Sequence, residues 1–168
     1  MHSTIAIDIA ASADLVFALA RDVRRWQRLL PHYALSREVV RRADGSVVVD
    51  FVARRSIPLI GVLGIGLPVA WRARTWDEPA TRRLRFVHVA GATKGMDVAW
   101  RIEPTAAGCR VAIEHDFRPR VPLFAAFVDR AFTRPIAGRT LATFKVLAEA
   151  LTPGDVRAEA LTPGDQTT

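Results

Sequence analysis

A chain of 168 residues, half hydrophobic and 24% charged, is long enough to bury one core without disulfides or metal and carries no compositional mark of disorder. The single cysteine, Cys109, allows no internal disulfide, so a reducing cytoplasm is the expected compartment; the start MHSTIAIDIA lacks the basic and apolar regions of a secretory signal. The net charge of +7 comes from arginines scattered singly or in pairs, with only Lys94 and Lys145 as lysines, which argues against nucleic acid as a partner.

In chain order, residues 3–9 alternate apolar and polar and predict a strand. Ser12 caps a helix with Asp14 in its first turn and Val16, Phe17, Ala20 and Val23 as its buried stripe, and Asp22 opens a second short helix that Pro31 ends. Six strand-like stretches follow, at 33–42, 46–55, 69–77, 83–91, 95–103 and 108–117, most of them separated by turn chemistry such as ADG (43–45), DEPAT (77–81) and TAAG (105–108). That succession predicts an antiparallel meander.

From Pro122 the period becomes helical, with one stripe of Phe124, Phe127, Val128, Ala131 and Phe132 and a second of Leu141, Phe144, Leu147, Ala148 and Leu151. Pro135, followed by Gly138, should kink or break this helix near its middle. Residues 1–151 then form one domain of α+β class, a curved antiparallel seven-stranded sheet around a long C-terminal helix with two short helices after the first strand. The space between sheet and helix is the natural place for a cavity. Residues 152–168, which include the second copy of AEALTPGD, are expected to form a flexible tail.

Strand 95–103 sorts Met96, Val98, Trp100 and Ile102 onto one face and Asp97, Ala99, Arg101 and Glu103 onto the other. The apolar set is core or cavity lining. On the next strand Val111, Ile113, His115 and Phe117 share the inward face. His115 is then either a histidine satisfied by a local partner or a general acid or base. His2, His32, His88 and His115 show no ligand spacing, so no metal and no cofactor is expected. In WRARTW, alternation places Trp71, Ala73 and Thr75 inward and Arg72, Arg74 and Trp76 in water; a bulge before this stretch would reverse the assignment and bring an arginine into the cavity.

ADLVFALARDVRRWQRLLPHY, GATKGMDVAWRIEP, VAIEHDF and RTLATFKVLAEAL resemble the polyketide cyclase/dehydrase and lipid-transport family, whose fold is the START-like helix grip. The likeness spans about residues 3–151 and is greatest to the bacterial aromatic polyketide aromatase/cyclases. It implies an activity: aldol cyclisation or dehydration of a carrier-bound β-ketoacyl chain. It also implies Arg74, Tyr33 and His115 as catalytic residues and Trp26, Met96 and Trp100 as substrate contacts. Leu30, Phe51, Arg72, Val98, Phe117 and Phe132 complete the expected lining. Ala70, Pro68 and Val87 stand where the family places cavity tryptophans and a second arginine, which implies a differently shaped, less polar cavity and a different or shorter substrate.

The same fold also serves a non-catalytic binding or transfer protein for a lipid, quinone or polyketide, and a protein-interaction module is a third reading. The expected ligand is a hydrophobic small molecule or acyl chain, with an acidic acyl carrier protein as partner. The stretch IPLIGVLGIGLP, residues 57–68, is too short and too broken by glycine and proline to span a membrane. In this fold it predicts a lid, with Ile60, Leu63, Ile65 and Leu67 covering ligand or helix, or else a satellite of the core. Peripheral contact with a membrane or a synthase partner is a further role for it.

Overall fold

The computed structural model describes residues 1–56, 66–119 and 122–152. Seven strands, β1 (His2–Ile9), β2 (Tyr33–Arg41), β3 (Val47–Ser56), β4 (Gly66–Glu78), β5 (Arg83–Gly91), β6 (Asp97–Thr105) and β7 (Gly108–Asp116), form one antiparallel sheet in the order β1-β7-β6-β5-β4-β3-β2. This is the predicted meander, closed on one side by β1 against β7. Gly108 permits that closure. At φ 141° it lies so close to β1 that a Cβ would stand 2.2 Å from the Ile9 carbonyl oxygen.

Helix α1 (Ala13–Arg21) starts at Ser12, whose hydroxyl accepts from the Leu15 amide, and buries Val16, Phe17 and Ala20. A 3-10 turn over Val23–Arg25 leads into α2 (Trp26–Leu29), and Leu30, extended as residues before proline are, ends it. The Trp26 indole donates to the Ala20 carbonyl at 2.9 Å, which satisfies its one polar atom inside the core.

The C-terminal helix runs as α3 (Pro122–Val128), a single wide π turn over Asp129–Thr133, and α4 (Arg134–Leu151). The helix does not break at Pro135; the wide turn just before it absorbs the missing amide. One inserted residue also rotates the upstream face by about 100°. That explains a correction to the first predicted stripe: Ala125 and Val128 are buried, while Phe124 and Phe127 are exposed together with Leu123. In α4, Ala137, Leu141, Phe144 and Ala148 face the sheet at helical spacing. Lys145 donates to the Asp8 carbonyl and Glu149 accepts from the Ala10 amide, so the end of β1 is tied to the helix.

The aromatic core centres on Trp26, whose ring lies 5.4–6.0 Å from those of Tyr33, Phe51, Phe86, Trp100 and Phe144. This cluster fills the α2 end of the space between sheet and α4. What remains open lies toward the β5–β6 turn and the π turn. Among the described residues no helix is long and apolar enough to cross a membrane.

Candidate functional site

A cavity of ≈ 90 Å³, open to solvent on one side, lies between the concave face of the sheet and the π turn. Trp26, Tyr33, Phe51, Phe86, Trp100 and Ile113 form its apolar depth, with Met96, Val98, Trp71 and Val69 along the strands. Phe132, Thr133, Ile136 and Ala137 close it from the helix. The wide turn supplies Phe132 and Thr133 to the lining, and the first turn of α4 supplies Ile136 and Ala137.

Of the residues predicted from sequence, Trp26, Tyr33, Phe51, Met96, Val98, Trp100, His115 and Phe132 lie on this cavity. Five described ones do not. Leu30 is fully buried in the core, and Phe117 packs edge-on against Phe124, 6.4 Å away. Leu67 is a half-exposed residue of β4 paired with Arg55, because β4 begins at Gly66 and takes up the end of the expected lid. Ile60, Leu63 and Ile65 lie outside the described residues.

The other two corrections concern the arginines. Arg72 grips Asp50 on the outer face of the sheet, Nε to Oδ1 at 2.6 Å and Nη2 to Oδ2 at 3.0 Å. Arg74 lies beside it, its guanidinium 5.0 Å from the Trp76 ring centroid, with Arg85 5.7 Å from the same ring. The register between β3 and β4 is unbroken from Val47–Thr75 to Ser56–Gly66, so nothing reverses the alternation in which Ala73 and Thr75 are buried. The irregularity falls on the other side of β4: Arg72 pairs with Ala90 and Ala73 with His88, leaving Val89 as the extra residue of a bulge in β5.

The polar atoms of the cavity are therefore uncharged. His115 is 5% exposed and its Nδ1 is buried without a hydrogen-bond partner. Burial pushes its pKa down to about 4, against opposing contributions from the Asp129 carboxylate and the Ser3 backbone. A neutral imidazole has one unprotonated ring nitrogen and is chemically a base. The Tyr33 phenol is held well above its ordinary pKa by burial, with the Thr140 hydroxyl opposing, and so remains a protonated donor.

Sequence reasoning missed His88. It lies in line with Leu84 and Phe86 on the inward face of β5, and that alternation was the available signal. Its Nδ1 is 2.6 Å from the Thr93 hydroxyl and its ring stacks on Trp71. Burial, and then the proximity of His115, push its pKa down to about 3. A further imidazole, His32, is buried off the cavity with Nε2 2.9 Å from Thr140 Oγ1. No cluster of three or more His, Cys, Asp or Glu suited to a metal ion exists among the described residues.

A family model described as polyketide cyclase / dehydrase and lipid transport matches residues 1–149. The chain belongs to this family. The aromatase/cyclase ZhuI from a Streptomyces species superposes with a TM-score of 0.75 at 20% identity, over 92% of this chain and 96% of that one. The di-domain ARO/CYC BexL from the BE-7585A biosynthetic pathway matches at 26% identity and a TM-score of 0.66, over 87% of this chain and 45% of the longer BexL chain. A START superfamily protein from Mycobacterium smegmatis matches at 14% identity and a TM-score of 0.61, over 87% of this chain and 98% of that one. The fold is START-like, and these aromatase/cyclases share it.

Proposed function

We propose that the protein promotes aldol cyclisation and dehydration of a β-ketoacyl chain held in this cavity. The observation that carries the reading is the unpartnered, buried Nδ1 of His115 on a largely apolar cavity that Tyr33 also lines. An activated methylene between two carbonyls gives its proton to His115, and the resulting enolate carbon bonds to a distal carbonyl carbon. The alkoxide so formed takes the proton back. A second enolisation then expels the hydroxyl, which leaves as water with the proton carried by His115. Tyr33 donates a hydrogen bond to a carbonyl oxygen throughout, and the aromatic walls hold the chain folded.

With Arg74 outside, no lysine or arginine lines the cavity among the described residues, and neutral donors serve at the enolate oxygen itself. The cavity, ≈ 90 Å³, is smaller than the ~150 Å³ engineered cavity that accepts benzene, so a ring-forming substrate must widen it or project into its open mouth. The net positive charge favours delivery by an acidic acyl carrier protein. The outward Arg74 is the one observation that favours the second reading, a binding or transfer protein for a lipid, quinone or polyketide. Incubation with a synthetic tetraketide thioester of N-acetylcysteamine separates the two. Growth of an aromatic absorbance above the uncatalysed rate supports cyclisation, and recovery of the bound, unaltered thioester supports transfer.

A further inference from the structure

His88 occupies a position unlike that of an ordinary core histidine. The β5–β6 hairpin closes through His88 itself, whose amide donates to the Met96 carbonyl at 2.9 Å while its carbonyl accepts from the Gly95 amide at 2.8 Å. The tip of the same hairpin supplies Thr93, whose hydroxyl lies 2.6 Å from Nδ1. Gly91, at φ 96°, lets the hairpin press onto β4 so closely that a Cβ there would lie 2.8 Å from the Ala70 carbonyl oxygen. This brings the Trp71 ring over the imidazole, centroids 5.8 Å apart and planes 18° from parallel. The ring is thus fixed on one face by Trp71 and at Nδ1 by Thr93. Nε2 is the nitrogen left to meet a ligand.

The same face of the sheet carries His115. His88 and His115 stand on strands separated by β6, about 10 Å apart across the sheet, and both line the same cavity. Among the described residues no lysine or arginine lines the cavity, the Arg55 guanidinium lying against Phe132 at 6.0 Å from its ring centroid, so a neutral donor beside Tyr33 has a place at the enolate oxygen. We infer that His88 is that donor: a neutral imidazole whose Nε2–H, fixed by the Thr93 hydroxyl donating to Nδ1, stabilises the oxyanion formed when His115 removes a proton from a 1,3-dicarbonyl segment of the substrate. This rests on the cyclisation reading above.

The division of labour balances. The proton leaves the substrate carbon for the His115 imidazole and returns from it, while the His88 proton stays on Nε2 and only its hydrogen bond strengthens. A neutral donor is suited to this role because its bond to an oxyanion is made more fully in the transition state than to a ketone. The low pKa of His88 is consistent with an imidazole that stays neutral while it donates.

Nitrogen-15 NMR of the histidine-labelled full chain at neutral pH reads the tautomer directly, and resorcinol, an unreactive mimic of an enolised 1,3-dicarbonyl, tests the pairing. The expected result is Nε2–H on His88, with resorcinol perturbing His88 and His115 at a common midpoint. Nδ1–H on His88, or a resorcinol response at His115 alone, overturns the inference. On the tetraketide thioester, His88→Leu should lower kcat at least about tenfold with little change in KM, and His88→Gln, which keeps an N–H donor, should recover part of it. If His88→Leu does not fold, Thr93→Val should lower kcat in the same sense by releasing the tautomer. Full activity in His88→Leu with loss in His115→Gln would sink the donor role and leave cyclisation standing; full activity in both would sink both.

Discussion

Gly91 and Ala70 sit in contact across β5 and β4: a Cβ on Gly91 would come within 2.8 Å of the Ala70 carbonyl oxygen. That approach seats the hairpin tip carrying Thr93 beside His88, so a backbone feature outside the cavity sets the position of an imidazole inside it. Gly91→Ala must open this contact while also adopting φ 96°. It should destabilise the protein by more than about 1 kcal/mol and shift the His88 imidazole signals, both measurable by denaturant unfolding and NMR on one sample. A variant with wild-type stability and unchanged His88 signals would contradict the clamp.

Arg74 gives the sharpest contrast with the family-based expectation. On the outer face over Trp76, it can neither touch a ligand nor stabilise an enolate. Arg74→Ala should leave tetraketide turnover within about threefold of wild type, the range of an ordinary surface change of about 0.5 kcal/mol. Loss of activity with a retained fold would return the arginine to the mechanism.

Phe144 ties α4 to the sheet through edge contacts with Trp26 and Trp100 at 6.0 and 5.8 Å and is fully buried. Phe144→Ala should cost about 3–5 kcal/mol, read as a lower denaturation midpoint. It does not line the cavity, so turnover by the molecules that remain folded should survive.

Acid should unfold the protein through its histidines. The folded-state values of about 4 for His32, about 3 for His88 and about 4 for His115 lie below the ordinary 6.5. Burial is the main cause in each. Arg139 adds to it at His32; at His115, Arg134 and His2 add to it and Asp129 opposes. Between pH 6.5 and about 4 the unfolded chain binds more protons than the folded one, so stability falls as pH falls and the loss is complete below the folded values. Each tenfold loss of proton affinity on folding corresponds to about 1.4 kcal/mol, so the three imidazoles together are worth several kcal/mol. Unfolding free energies measured from pH 7.5 to 4.5 should decline steadily; a flat profile would show that these imidazoles are not buried neutral. The Asp50 carboxyl, held low by Arg72, adds its own loss only at lower pH.

The sheet was legible because its strands sort cleanly by parity. Val98, Trp100 and Ile102 on β6 and Val111, Ile113 and His115 on β7 needed only alternation, and they are buried as that pattern requires. Alternation also placed Arg72 and Arg74 outside; the family likeness pointed the other way, and the unbroken β3–β4 register decides for alternation. What was hidden depended on contacts distant in sequence or on a local change of period. The bulge at Val89 shows only in how β5 pairs with β4. The exposure of Phe124 and Phe127 follows from one extra residue in the turn before Pro135, which periodicity counted over a regular helix cannot register. His88 carried the right parity, but its significance comes from Trp71 and Thr93, brought to it by folding.

The most direct test of the central claim is product analysis of a host expressing a minimal polyketide synthase with this protein, without it, and with His115→Gln. The cyclase account predicts a cyclised, dehydrated aromatic product that appears with the wild-type chain and falls at least about a hundredfold with His115→Gln, within the range for loss of a general base. Identical product spectra in all three strains, with an unaltered lipid or polyketide co-purifying with the protein, would contradict it.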